Sequence, residues 1–276
     1  MKKQKIIVSA VFAAVIAALI AGIILTDSLY VRTEDISDVM EDAVLHERNR
    51  VALFGMEVNP GLISAFAVTA VLLVFAAIVR IFVIPRFKTV PGKFQMLMET
   101  LVGYFDGQAK LNSPHRNSFL GAYVFAAGIY IFVGTILELF GFQVQAVSGV
   151  SVALPAPLSD INGAIALGCL SYLVILGGGI VNNGIRGAGK ALIEFSLPIS
   201  MSFRMFGALL SGALVSELVY YYMALSFVLP VVVGVLFTLL HAVIQAYVLV
   251  MLTALFFGEV SEPHVKKPKK AKTSEV

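Results

Sequence analysis

Long apolar runs separated by short polar stretches dominate the chain. Six of them, roughly residues 6–26, 61–84, 118–140, 161–181, 193–222 and 227–257, reach the ~20 residues a helix needs to cross a bilayer. Lipid offers no partners to backbone N–H and C=O groups, so runs of this length read as helices that satisfy their own hydrogen bonds. The last two exceed the minimum and predict strong tilt or irregular ends. A different pattern follows the helix-breaking Pro91-Gly92: apolar residues at Phe94, Leu97, Met98, Leu101, Val102 and Phe105. Their spacing predicts an amphipathic helix over 90–105 that lies in the interface rather than across it. The expected fold is all-α and polytopic, with five or six transmembrane helices, a long tilted C-terminal helix hairpin and this interfacial helix.

Composition agrees with the pattern. Hydrophobic residues make up 59% and charged residues 13% of the 276 positions, and the mean hydropathy is +0.92. Such values exclude a large soluble core. Charge then orients the spans, because Lys and Arg collect in cytoplasmic loops. Lys2, Lys3 and Lys5 precede the first run, and Arg86, Lys88, Lys93, Lys110 and Arg116 follow the second. Arg186 and Lys190 follow the fourth, and the tail carries Lys266, Lys267, Lys269, Lys270 and Lys272. The segment 27–60 is instead acidic, and 141–159 and 223–226 hold no basic residue. The chain therefore divides into a first transmembrane segment or signal peptide (1–26), an acidic extracytoplasmic segment (27–60), a membrane domain (61–258) and a basic cytoplasmic tail (259–276). A basic start before an apolar run fits both readings of 1–26. Cleavage would leave the downstream orientation unchanged.

Arg204 stands alone in otherwise membrane-grade sequence. An arginine near the bilayer centre costs ~2.5 kcal/mol or more and stays charged, so it needs a partner or a water-filled cavity. Other chemistry is missing from the sequence: there is no nucleotide-binding loop, no paired Cys or His ligand spacing and no nucleophile elbow, and Cys169 is the single cysteine. No cofactor, metal or catalytic residue is expected. The glycines at 177–179, 184, 187 and 189 lack the lysine and hydroxyl context of a phosphate cradle and suggest close helix packing and a cytoplasmic turn.

Four stretches, in order, resemble the a subunit of F-type ATP synthases. Val90-Pro91-Gly92-Lys93-Phe94-Gln95 is similar to the start of that family's cytoplasmic helix, and Pro157-Leu158-Ser159-Asp160-Ile161-Asn162 to the beginning of one of its membrane helices. Pro198-Ile199-Ser200-Met201-Ser202-Phe203-Arg204-Met205-Phe206-Gly207 resembles its arginine signature, and Gln245-Ala246-Tyr247 with Leu252-Thr253 its last helix. The resemblance covers about 60–264. It implies a membrane stator that passes protons, or sodium ions, through two half-channels to and from a rotating c-ring. It also implies peripheral-stalk b-type partners, a lipid setting in the cell inner membrane with the C-terminus cytoplasmic, ATP chemistry confined to partner chains, and no nucleic acid.

Under that resemblance Arg204 faces the ring carboxylates. A carboxylate in lipid prefers to be protonated, and a fixed guanidinium reverses this locally. The acid then releases its proton beside Arg204 and must regain one before it re-enters lipid. The carriers depart from the family. Where it commonly has Glu or His nine residues after the arginine and His or Glu seven before the glutamine, this chain has Ala213 and Thr238, and Ala208 replaces a usual Asn. An acid and an imidazole recur one turn away at Glu217 and His241, on the same helix faces. Glu217 and His241 are expected to serve the outer half-channel, with Gln245 and Thr238 or Ser211 holding water between them. Histidine suits such a relay because its ordinary pKa lies near 6.5.

Glu138, at the outer end of the third run, is assigned to the outer funnel. Asp160 and Asn162 open the fourth run and fit either transport or helix capping, since an acid there meets the positive end of the helix dipole. Asn182, Asn183 and Glu194 are candidates for a cytoplasmic exit. The competing function is a secondary transporter or channel using Arg204 as an anion site, but neither inverted repeats nor broken helices around a central site are apparent.

Overall fold

A computed structural model describes residues 2–27, 35–45, 50–53, 55–115, 118–147, 149, 151–222 and 229–263. The expected hairpin turn at 223–226 and the tail lysines lie outside them. The chain opens with α1 (Lys2–Asp27), a short α2 (Ile36–Leu45) and a two-stranded hairpin of β1 (Val51–Leu53) and β2 (Met56–Val58). There follow α3 (Pro60–Ile78), α4 (Lys93–Asn112) and α5 (Ser118–Glu138), then a second hairpin of β3 (Gln143–Gln145) and β4 (Ser151–Ala153). The last elements are α6 (Ile161–Ile193), α7 (Ser196–Tyr221), α8 (Leu229–Val233) and α9 (Leu239–Ser261). Among the described residues, five helical stretches are long and apolar enough to cross a membrane: Pro60–Arg86, Ser118–Glu138, Ile161–Ile193, Ser196–Tyr221 and Val231–Ser261. The chain is an all-α, multi-pass membrane protein. Its first run is helical, with Val11, Phe12, Val15, Ile16 and Ile20 exposed.

The loops sort to two ends. At one end the Val147 N–H donates to the Arg50 carbonyl at 2.9 Å, and Asp160 stands against Gly61 at the start of α3. At the other, His115 Nε2 meets Ser261 Oγ at 2.9 Å, and Asn182 and Asn183 reach the last carbonyls of α9. The acidic segment and the 141–159 loop thus share one end, called outer below, and the basic loops share the other, called inner. The amphipathic helix begins at Lys93 and continues to Asn112, seven residues beyond the expected limit. It packs against α5 and α9 through Phe105 and Ala109.

The spans differ from the expected runs in instructive places. The sequence suggested a span at 161–181, a cytoplasmic turn and a new span from 193. In the structure α6 runs inward only as far as Asn183, and Gly184, at φ 60° and ψ −139°, reverses it. That backbone region is open essentially to glycine alone. The chain then returns helically along itself. Gly187 lies against the Gly179 backbone, and the Tyr172 hydroxyl donates to the Ala191 carbonyl at 3.0 Å. The returning stretch leads into α7 through a tight turn at Glu194 and Phe195. The arm that bears Arg204 therefore starts at 185 and has two helical pieces, of which α7 alone, 26 residues at ~1.5 Å each, is about 39 Å long. A hydrocarbon core of ~30 Å holds that length only if the arm is steeply tilted.

Irregular turns interrupt two other spans. α3 continues through a π-helical turn at Val79–Val83 and a short 3-10 turn at Ile84–Arg86, where Pro85 cannot donate to the helical ladder. The last span is divided by a π-helical turn, Gly234–Thr238, between α8 and α9. The common core gathers Leu120, Val124 and Ile131 of α5, Ile175 of α6, Met201 and Met205 of α7, and Leu249, Val250 and Phe257 of α9.

Candidate functional site: an unpaired arginine on a tilted helix arm

On α7, Met201, Met205 and Leu209 turn inward, which leaves Phe203, Arg204, Gly207 and Ser211 on the exposed face. Among the described residues Arg204 has neither a hydrogen-bond nor an ion-pair partner. It lines a shallow cleft with Met201, Met205, Gln245, Val248, Leu249 and Leu252. Gln245 is the polar residue that α9 brings to that cleft, and it is buried at 5% exposure. Its Oε1 has no hydrogen-bond partner among the described residues, and neither does the buried Thr253 Oγ1 two turns further inward. A buried amide oxygen left without a donor costs ~1–3 kcal/mol, so its place beside a guanidinium is informative.

One turn outward on α9, His241 is half-buried and faces α7. A Cβ on Gly212 would stand 3.3 Å from His241 Nδ1. Glycine at this position lets the imidazole approach the α7 backbone. Along the α7–α9 seam, Arg204 thus lies level with Gln245, and His241 lies against Gly212. Thr238 closes the π-helical turn and is half-buried, and the Phe237 ring tilts over His241 with centroids 5.9 Å apart. Ser211 is exposed, and its hydroxyl donates to the Ala208 carbonyl at 2.8 Å. Glu217 is exposed near the outer end of α7, while the Ser216 hydroxyl one residue before it donates to the Gly212 carbonyl at 3.0 Å.

Glu138 ends α5 half-buried, and its neighbour Leu139 comes within 3.6 Å of where a Cβ on Gly234 would stand. The α5 terminus thus meets the outer, π-helical part of the last span. Asp160 and Asn162 are placed elsewhere. Asp160 is buried and caps α6: its Oδ1 accepts the Asn162 N–H at 2.8 Å and the Asn162 side-chain amide at 3.1 Å. Its packing partner is Gly61 at the start of α3, so of the two roles left open for it the capping geometry is the one observed.

At the inner end, Asn182 Nδ2 donates to the Ser261 carbonyl at 3.3 Å. Asn183 Nδ2 donates to the Val260 and Glu262 carbonyls at 2.9 Å each. These amides satisfy the orphan carbonyls of the α9 C-terminus, a fastening role that reading them as exit polar groups missed. Sequence reasoning also missed Gly212 as the seat of His241. The available signal was the pair Ala208 and Gly212, small residues four apart and so on one face of α7.

The family described as ATP synthase A chain matches residues 62–258. Among curated relatives, ATP synthase subunit a of Histophilus somni strain 129Pt is 26% identical over 203 residues, covering 61% of this chain and 76% of the relative. ATP synthase subunit a 2 of Vibrio campbellii is 24% identical over 219 residues, covering 70% and 85%. The sodium-ion-specific ATP synthase subunit a of Propionigenium modestum is 25% identical over 228 residues, covering 74% and 77%. With a match across most of its length, five spans of membrane-grade helix and an arginine left unpaired among them, the chain belongs to the ATP synthase A chain family and acts in the membrane stator of that complex.

Proposed function

We propose that Arg204 is the fixed cation past which the carboxylates of a rotating ring of small helical subunits are carried, with half-channels on either side of it. The observation that carries this reading is an arginine exposed on a membrane-grade helix with no partner among the described residues. A permanent charge in lipid with no partner among the described residues calls for an anion from another chain. Beside Arg204 the ring acid is favoured as the anion and gives up its proton; away from it, desolvation favours the acid form, which must be recharged from the other half-channel. The same positive charge repels a proton running directly between the two sides. Gln245, orphaned at Oε1 beside the guanidinium, holds water or the arginine itself in register.

The outer half-channel runs from Gln245 past His241, Thr238 and Ser211 to Glu217, with Glu138 at the funnel where α5 meets the π-helical turn. Asp160 and Asn162 cap the start of α6, apart from this route. The inner side faces the cytoplasm with the C-terminus, the membrane is the cell inner membrane, and b-type stalk subunits hold the chain static. This chain is non-catalytic, ATP chemistry belonging to its partners. The transported ion, proton or sodium, is set by the ring's own site.

An anion transporter with Arg204 at a central site is not favoured. The side chain lies on the exposed face of α7 rather than inside the bundle, and the relatives are ATP synthase subunits. The test is Arg204→Ala in the intact complex, assayed for ATP-driven ion pumping in inverted membrane vesicles. Pumping is expected to fall to background while the complex still assembles on a native gel. Pumping that persists with a neutral side chain at 204 overturns the reading.

A further inference from the structure

We propose that α2 is a wall of the outer half-channel, and that its contact face, centred on Val39 and Met40, holds the outer part of α7 in position and restricts the approach of bulk water from that side. This rests on the channel reading above. α2 precedes the family match, which begins at residue 62, yet it packs against α7, the helix that carries Arg204.

A ten-residue helix is too short to persist alone in water, where ~12–15 residues are marginal, so tertiary contact must sustain it. Ile36, Asp38, Val39, Met40 and Asp42 are half-buried, whereas Ser37, Glu41, Val44 and Leu45 are exposed, so the docked face of α2 joins three apolar side chains with two carboxylates. Its tether fixes which part of α7 it meets. Five residues after α2, the Arg50 carbonyl accepts the Val147 N–H; Val51 is buried at 5% exposure; and Asn59 then caps α3. Each of these anchors belongs to the outer end. α2 therefore lies along the outer part of α7, the part that bears Ser211, Ser216 and Glu217, of which Ser211 and Glu217 stay exposed in this chain. Polar groups on a membrane helix conduct along a path only where water reaches them from one direction, and an amphipathic helix docked alongside supplies that restriction.

The experiment uses the assembled complex in membranes. In a Cys169→Ser background, Glu217→Cys is labelled from the outer side with a membrane-impermeant maleimide. Combining Val39→Asp with Met40→Asp, which sets two charges into the contact face, is expected to raise the labelling rate at least about fivefold by opening the contact. In a second background with Glu217 and Cys169 intact, the same pair is expected to change passive proton conduction through ATPase-stripped membranes severalfold. Glu41→Ser, on the exposed face, leaves both readings at the reference value.

Labelling no faster in the paired variant than in Glu41→Ser overturns the wall, and faster labelling with unchanged conduction overturns its place in the ion path. Should the paired variant fail to assemble, amide hydrogen exchange over 36–45 in the unmodified complex decides: protection is expected, and exchange at unfolded-peptide rates overturns the docking. The channel reading fails separately, since persistent pumping by Arg204→Ala leaves the labelling result standing.

Discussion

The two seams of α7 are built on opposite principles. Against α6 the arm is closed by glycines set on backbone: Gly187 on the Gly179 carbonyl, and Gly168 on Ser202 and the Pro198 carbonyl. Ser202 at this seam spends its hydroxyl on the Pro198 carbonyl at 2.6 Å, so the contact is dry and internally satisfied. Against α9 the seam holds a shallow cleft with an unpaired guanidinium, an orphaned amide oxygen and an imidazole resting on Gly212. One side of the helix is fixed and the other is left polar and accessible. A stator needs both. Arg204 must hold its position while a partner moves past it, and the ions it governs need a hydrated route that close packing would exclude.

The closed seam is where substitution should cost most. Gly187→Val sets a branched side chain into the Gly179 backbone, which is not the far end of a flexible side chain and has no room to yield. Overpacking in well-filled cores costs ~1–3 kcal/mol, and a clash with backbone lies at or above the top of that range. The subunit is expected to be lost from the assembled complex, read by immunoblot of native gels, with all ion flux lost alongside. Near-normal assembly would show that the hairpin at Gly184 is not the fixed element described.

The open seam should respond in the opposite way, with function lost and assembly kept. His241→Ala removes the imidazole from its contact with Gly212 but leaves the apolar packing of α9 through Leu249, Val250 and Phe257 in place. Pumping in inverted vesicles is expected to drop about tenfold or more, as removal of a proton carrier does, while the yield of complex stays at its reference level. Unchanged pumping would remove His241 from the ion path and leave it as a packing residue at the seam.

How much of this contrast was legible in the sequence follows from what each seam is made of. Long apolar runs, the lone Arg204 and the offset pair Glu217 and His241 are signals of residue type, and they give the spans, the arginine face and the helix that carries each carrier. A reversal after 181 was legible from the basic, glycine-rich stretch, but the helical return from Gly184 over 185–193 was not, because Arg186 and Lys190 read as a loop and a single left-handed glycine leaves no hydropathy mark. The π-helical turns at Val79–Val83 and Gly234–Thr238 are equally silent, since they depend on how neighbouring helices pack. α2 was hidden for another reason: its charge dominated the reading of 27–60, and the contact face of Ile36, Val39 and Met40 has meaning only against α7. Asn182 and Asn183 looked like polar residues at an interface, and only the distant end of α9 explains them.

Asp160 offers the smallest effect and the finest test of the contrast, because it lies at the outer end of α6 and away from the open seam. Its Oδ1 accepts the Asn162 N–H at 2.8 Å, so Asp160→Asn keeps an acceptor in the same place and removes only the charge. Asp160→Ala removes the cap as well, a loss of ~0.5–2 kcal/mol in typical helices. If capping is its whole role, Asp160→Asn retains near-reference pumping and thermal stability, and Asp160→Ala loses a few degrees in the melting temperature of the solubilised complex with pumping largely intact. If the carboxylate also serves the funnel, Asp160→Asn alone lowers pumping while stability holds. The asparagine variant separates the two roles because it changes charge without changing the hydrogen bond, and the open seam then extends to α6 only if charge by itself matters there.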